Sequence, residues 1–204
     1  FQKYATEFLD LYPSQAYSYY YHGVALYQKA AYPQAVKELQ QSIDIGFNNM
    51  VIQGNALRYL AQTYEAQKDI PQAEKAYNEA ILMQPEDAEI VHAYARSLVR
   101  RKVDLDKAAD LLEGIRTKYP QNPHFTNTAA WLAYQKAAYP QAEQLLRTVL
   151  STLPDQVEAL ERYGDVLFRT EREDLAVTYW QKALDKGASN PVLPKKIATR
   201  QLYE

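Results

Sequence analysis

The chain reads as all-α, an array of helix–turn–helix repeats, and three observations predict this. The nonapeptide from Tyr27 to Ala35 returns letter for letter from Tyr134 to Ala142, 107 residues later, with the shorter echo Ile70-Pro71-Gln72-Ala73 between them. Each copy joins two apolar-periodic segments. Each also sets Pro near the first helical position, where its missing N–H costs nothing and its fixed φ suits a helix start. Second, an alanine recurs just after each turn, at Ala35, Ala73, Ala108, Ala142 and Ala176, with spacings of 38, 35, 34 and 34. Third, twelve residues before each of them, thirteen in the third case, stands a small residue: Gly23, Ala61, Ala95, Ala130 and Gly164. Small residues at both places let two antiparallel helices approach closely.

Taken in order, residues 1–15 hold one helix that matches only the second half of a unit, with Phe1, Ala5 and Phe8 at packing positions. Five units follow at 16–49, 54–87, 88–122, 123–156 and 157–190. Larger side chains fill the space around the small pairs: Leu26 with Leu39, Tyr64 with Tyr77, Leu98 with Leu112, and Leu167 with Trp180. Two insertions break the register. Met50 to Gln53 add about one helical turn before the second unit, with Asn48 and Asn49 supplying the cap. One extra residue within Arg101 to Asp106 predicts a different turn in the third unit. From Pro191 the chain leads into a polar helix over 191–204, the kind of cap that lets a repeat array end in water.

The pattern resembles the tetratricopeptide repeat, a helix–turn–helix unit of about 34 residues. The fifth unit carries it at Leu160, Tyr163, Gly164, Leu167, Ala176, Trp180 and Ala183. The second carries it at Leu57, Leu60, Ala61, Tyr64, Ala73, Tyr77, Ala80 and Pro85. The first unit departs from it, with Phe47 at the terminal Pro position and His22 and Ser42 at usually apolar ones. The stretch from Gly164 to Tyr203 also resembles the closing repeat of bacterial multi-repeat members, some of them envelope lipoproteins. The resemblance implies a right-handed α-solenoid of five repeats with a C-terminal capping helix. It implies little about ligand, because this fold serves many partners.

Composition narrows the function classes. With 47% hydrophobic and 24% charged residues the chain can bury a substantial core, and 6 Gly and 10 Pro argue against disorder. A net charge of −2 leaves no basic field to draw in nucleic acid. There is no cysteine, hence no disulfide, thiolate metal site or Cys nucleophile. No run approaches the roughly 18 apolar residues of a membrane span. The chain begins with Phe1 rather than Met, so the compartment stays open between the cytoplasm and, after removal of a signal, the periplasm or envelope.

No catalytic or cofactor motif occurs: no Gly-rich phosphate loop, nucleophile elbow or H-E-x-x-H. His22 falls at an inward position, which predicts a buried histidine bonded to a neighbouring hydroxyl or backbone group. His92 and His124 lie in different units with no carboxylate at metal-ligand spacing. Arg100-Arg101-Lys102 sits where a helix C-terminus favours cations.

In the family the first helices line a concave surface, and a bound peptide meets positions 2, 5, 9, 12 and 13 of each unit. That resemblance implies a groove holding Tyr17, Tyr20, Val24 and Tyr27, then Arg58 and Gln62, then His92, Arg96 and Arg100. Asn127, Trp131 and Tyr134 follow, then Glu158, Glu161 and Asp165. The sequence runs from an aromatic end through a basic middle and an aromatic step to an acidic end. The Lys-and-Asn clamp of chaperone-tail-binding members is absent. The expected work is a non-catalytic protein–protein interaction scaffold that holds a peptide or partner helix in this groove, without cofactor or metal. The alternatives are a self-association module paired through the N-terminal half-unit, or a regulatory domain of a larger protein with an upstream part.

Overall fold

The computed structural model describes residues 1–203, and within them the chain forms twelve helices and no strand. They are α1 (Gln2–Leu11), α2 (Ala16–Gln28), α3 (Tyr32–Ile45), α4 (Met50–Ala66), α5 (Ile70–Met83) and α6 (Ala88–Arg101). After these come α7 (Leu105–Lys118), α8 (Pro123–Gln135), α9 (Tyr139–Thr152), α10 (Val157–Arg169), α11 (Glu173–Asp185) and α12 (Leu193–Thr199). The chain divides into two compact units, Phe1–Tyr94 and Ala95–Glu204.

The helices start where side chains can satisfy their first N–H groups. Asn49 accepts from the N–H of Val51 at 2.9 Å and Asp87 from that of Glu89 at 2.9 Å. Asn122 accepts from that of His124 at 2.9 Å, and Gln156 caps α10 through the N–H of Ala159. The four-residue insertion is helical and makes α4 17 residues long, against 13 or 14 for the other paired helices.

The recurring turn has one backbone solution. Ala30 and Ala137, at the same place in the two identical nonapeptides, adopt left-handed φ values of 58° and 57°. The next residue's N–H then closes back onto the preceding helix, Ala31 to the carbonyl of Leu26 at 3.0 Å and Ala138 to that of Ala133 at 2.9 Å. Lys68 and Glu171 do the same. The third turn differs. Lys102 (φ 56°) closes its helix as in the other turns, with the N–H of Val103 on the carbonyl of Leu98 at 3.1 Å, and the extra residue brings a second left-handed position at Asp104 (φ 46°).

In the first unit α2 packs on α3, α4 on α5, and α3 on α4, while α1 lies against α2. Ala35 and Leu39 of α3 are fully buried, and Ala61 of α4 meets a second helix bearing Ala73 at 2% exposure. Phe1, the N-cap of α1, lies edge-on to Tyr21 with ring centroids 6.4 Å apart, Phe8 lies tilted to it at 6.2 Å, and Ala5 between them in sequence is buried. His22 does not find the hydroxyl or backbone partner expected of it. Its Nδ1 stands 3.5 Å from a carboxylate oxygen of Glu38 on α3, at ion-pair distance rather than in a hydrogen bond.

In the second unit α8 pairs with α9 and α10 with α11, with α7 on α8, α9 on α10, and α12 on α11. One apolar core runs through it, from Ala130 and Leu146 to Leu167, Trp180 and Leu193. Two helices of this core meet closely at Gly164. A Cβ there would stand 2.6 Å from Nε1 of Trp180 and 3.0 Å from the carbonyl oxygen of Ala176, so only glycine lets α10 and α11 touch. Gly114 on α7 has nothing within 4 Å of such a Cβ. The pair makes a controlled test. Gly164→Ala should cost about 1–3 kcal/mol through overpacking, whereas Gly114→Ala should stabilise by about 0.5–1 kcal/mol through helix propensity. Chemical denaturation of both variants checks it, and equal effects would contradict this packing.

Candidate functional site

Within each unit the first helices of neighbouring pairs also touch, α2 with α4 and α8 with α10, and so present a shared surface.

On the first unit that surface is aromatic. Tyr17 donates its hydroxyl to Oδ1 of Asn48 at 3.0 Å, and its ring lies 5.2 Å from that of Phe47. Tyr20 is buried among Phe47, Tyr21 and Tyr59, and burial pushes its hydroxyl up to about 12. It builds the floor and is not open to a ligand. Tyr27 is half-buried and packs on Tyr59 at 5.8 Å. Arg58, also half-buried, lies 4.4 Å from the centroid of the Tyr59 ring while its Nη2 donates to Asn55 at 3.0 Å. Gln62 on α4 and His92 on α6 are half-buried. Tyr59 went unnoticed in the sequence although it is the hub of this cluster.

On the second unit the surface is a charged network over an indole. Trp131 is half-buried on α8, and the guanidinium carbon of Arg162, on α10, lies 4.2 Å from its ring centroid. Glu158, one turn before Arg162, accepts from it at 3.2 Å and from Nη2 of Arg96 on α6 at 2.8 Å. Burial lowers the pKa of Arg162 to about 10, which still leaves it charged at neutral pH. Arg100 is exposed on the last turn of α6. Tyr134 accepts from Nε of Arg169 at 3.4 Å. Asn127 is buried, and its side-chain carbonyl oxygen has no hydrogen-bond partner among the described residues. Arg162 escaped the sequence reading because it falls between the groove positions. Its signal was the Glu158–Arg162 spacing, a helical ion pair.

Glu161 and Asp165 do not offer the free acidic end that the sequence led one to expect. Both are spent on holding α12. Lys196 of that helix is 3% exposed, and its ammonium donates to Asp165 at 2.8 and 3.1 Å and to Glu161 at 3.4 Å. Trp180 donates its indole N–H to Asp165 at 2.8 Å, and Asn190 donates to Glu161. Burial pushes the Asp165 carboxyl up to about 6, although the Lys196 and Trp180 contacts pull it down. The physical reason for the correction is simple: a buried ammonium needs anions around it.

Comparison with known proteins places this geometry. Two tetratricopeptide repeat family models match, one over residues 54–97 and the other over residues 103–162. No curated protein matches the chain by sequence. Among solved structures, a chain of the APC/C hetero-tetramer Cut9–Hcn1 superposes with a TM-score of 0.85 at 14% identity over 96% of this chain. The present chain spans only 38% of that protein's length. PilW, a type IV pilus biogenesis factor, superposes with a TM-score of 0.76 at 17% identity, covering 91% of this chain and 85% of its own. YrrB, described as a repeat protein of this family with an unusual peptide-binding site, gives 0.62 at 13% identity over 97% and 98%. At these identities the likeness shows the fold, a solenoid of helical repeats. Among the described residues no helix is long and apolar enough to cross a membrane.

The ionic lock on α12 yields a prediction. Lys196→Met strands Asp165 and Glu161 without their cation and should destabilise the chain by about 3–5 kcal/mol. Adding Asp165→Asn should restore part of that loss in denaturant melts. If Lys196→Met were neutral, the lock would not be holding the helix.

Proposed function

The chain is a tetratricopeptide repeat protein, and from that premise we propose that it works as a non-catalytic scaffold, holding a peptide segment or partner helix against its first-helix surfaces. The fold as such serves protein–protein interaction, and what this chain adds is the character of those surfaces. The observation that carries the reading is Trp131, a large indole kept half-buried at a first-helix position with a guanidinium stacked over it. Tyr, Trp and Arg are the residues that dominate binding energy at interfaces, because they give large contact at modest entropy cost. Tyr27 and Arg58 supply the same chemistry on the first unit, with Gln62, His92, Arg100 and Tyr134 beside these anchors as polar and aromatic contacts. Exposed ion pairs contribute only about 0–1 kcal/mol each, so aromatic anchors set affinity and charges set selectivity.

A peptide library displayed on phage and selected against the intact protein tests this. Peptides so obtained should lose about tenfold or more in affinity on Trp131→Ala, measured by titration calorimetry, consistent with about 1.4 kcal/mol for one anchor. Selected peptides indifferent to Trp131→Ala and to Arg58→Ala would overturn the reading.

A second reading, self-association, draws on α1 and its N-cap, where Phe1, Tyr4 and Leu11 are 59%, 73% and 72% exposed. An apolar face of this kind marks an interaction surface. If it pairs copies of the chain, sedimentation velocity should show a concentration-dependent dimer that Tyr4→Lys, Leu11→Lys abolishes. A clean monomer at all concentrations would remove this reading and leave the first intact.

A further inference from the structure

We infer that the first-helix surface of the second unit contains a carboxylate seat, occupied in the free protein by its own Glu158 and taken over by an acidic side chain of the bound peptide. The inference rests on the scaffold reading and names the partner chemistry that reading leaves open.

The seat is defined by two guanidinium groups converging on one anion. Arg96 reaches Oε1 of Glu158 at 2.8 Å from α6, and Arg162 reaches Oε2 at 3.2 Å from one turn further along α10. The three partners are not equally fixed. The Arg162 side chain is 16% exposed, wedged on the Trp131 ring, whereas Glu158 and Arg96 are 47% and 48% exposed. The anion is thus the replaceable member and the desolvated cation the permanent one. A buried cation left alone is costly, so Arg162 keeps some carboxylate beside it at all times. Glu161 and Asp165 also act on Arg162 through space, but their hydrogen bonds go to Asn190 and Lys196, so Glu158 is the carboxylate that Arg162 itself bonds.

Exchange of the anion is nearly isoenergetic. Glu158 holds Arg162 by a helical pair between adjacent turns, and its own carboxylate is 47% exposed, so an incoming carboxylate can replace it contact for contact. An incoming Glu or Asp restores the same contacts, with the peptide's neighbouring apolar group placed against Trp131. The free protein therefore carries a built-in competitor that a neutral peptide gains nothing by displacing. Discrimination against non-acidic segments follows from this.

The test uses two short, C-terminally amidated, fluorescein-labelled peptides, one alternating Glu and Leu, the other its Gln-for-Glu counterpart. Fluorescence anisotropy gives their affinities for wild type, Glu158→Gln, Arg162→Met and Trp131→Ala, with thermal melts confirming folding. Removing the competitor should tighten the Glu peptide by about threefold to tenfold and leave the Gln peptide unchanged. Arg162→Met should bring the two peptides to equal affinity. No tightening on Glu158→Gln, equal tightening of both peptides, or no binding of either peptide to Glu158→Gln overturns the seat. The two readings fail differently. Binding that depends on Trp131 but not on Glu158 removes the seat and spares the scaffold surface, whereas binding indifferent to Trp131→Ala removes the surface itself.

Discussion

Everything in this chain depends on how closely two antiparallel helices approach across a pair of small residues. Where Gly164 faces Trp180 there is no room for a single added carbon. Where Gly23 faces Leu39 the same holds, since a Cβ would come within 2.7 Å of the Leu39 side chain. Close approach brings the flanking large side chains into contact on both sides, so each helix pair fills its own interior. The turn then has to reverse the chain in very few residues. The left-handed residue at Ala30, Lys68, Ala137 and Glu171 follows from that geometry, even though a side chain there carries a steric cost of about 1–2 kcal/mol.

A consequence for the surface is that second helices do the packing while first helices also face a neighbouring first helix. Polar and aromatic residues on the first helices thereby acquire a second set of partners from other repeats. Arg96 finds Glu158 across 62 residues of sequence, and Lys196 finds Asp165 across 31. These long-range pairings decide which groups are available to a ligand. In the second unit the cation and indole remain as the recognition chemistry, while Glu161 and Asp165 are turned inward.

This explains what was legible in the sequence and what was not. Helix positions were readable because their signals are local: the Pro of each turn, the Asn or Asp cap, and a small residue recurring at each crossing. The buried alanines at 35, 73, 108, 142 and 176 lie where the repeat register put them. The site was legible only as a set of positions. Position told that Tyr20, Asn127, Glu161 and Asp165 lie on first helices, but not that Tyr20 and Asn127 are buried by their neighbours or that the two carboxylates are tied to α12. Those facts depend on partners one or more repeats away, which periodicity cannot rank. Arg162 shows the converse: a residue outside the expected positions enters the site because its long side chain folds back over Trp131.

The lock on α12 bears on how this end of the molecule opens in time. A seven-residue helix held by apolar contacts alone would fray residue by residue. Here, detaching it uncovers a buried ammonium and two carboxylates together, along with the Trp180 indole that donates to Asp165. No partial step relieves that cost. Amide protons of α12 should therefore exchange together, and the helix behaves as a latch that is either shut or fully undone.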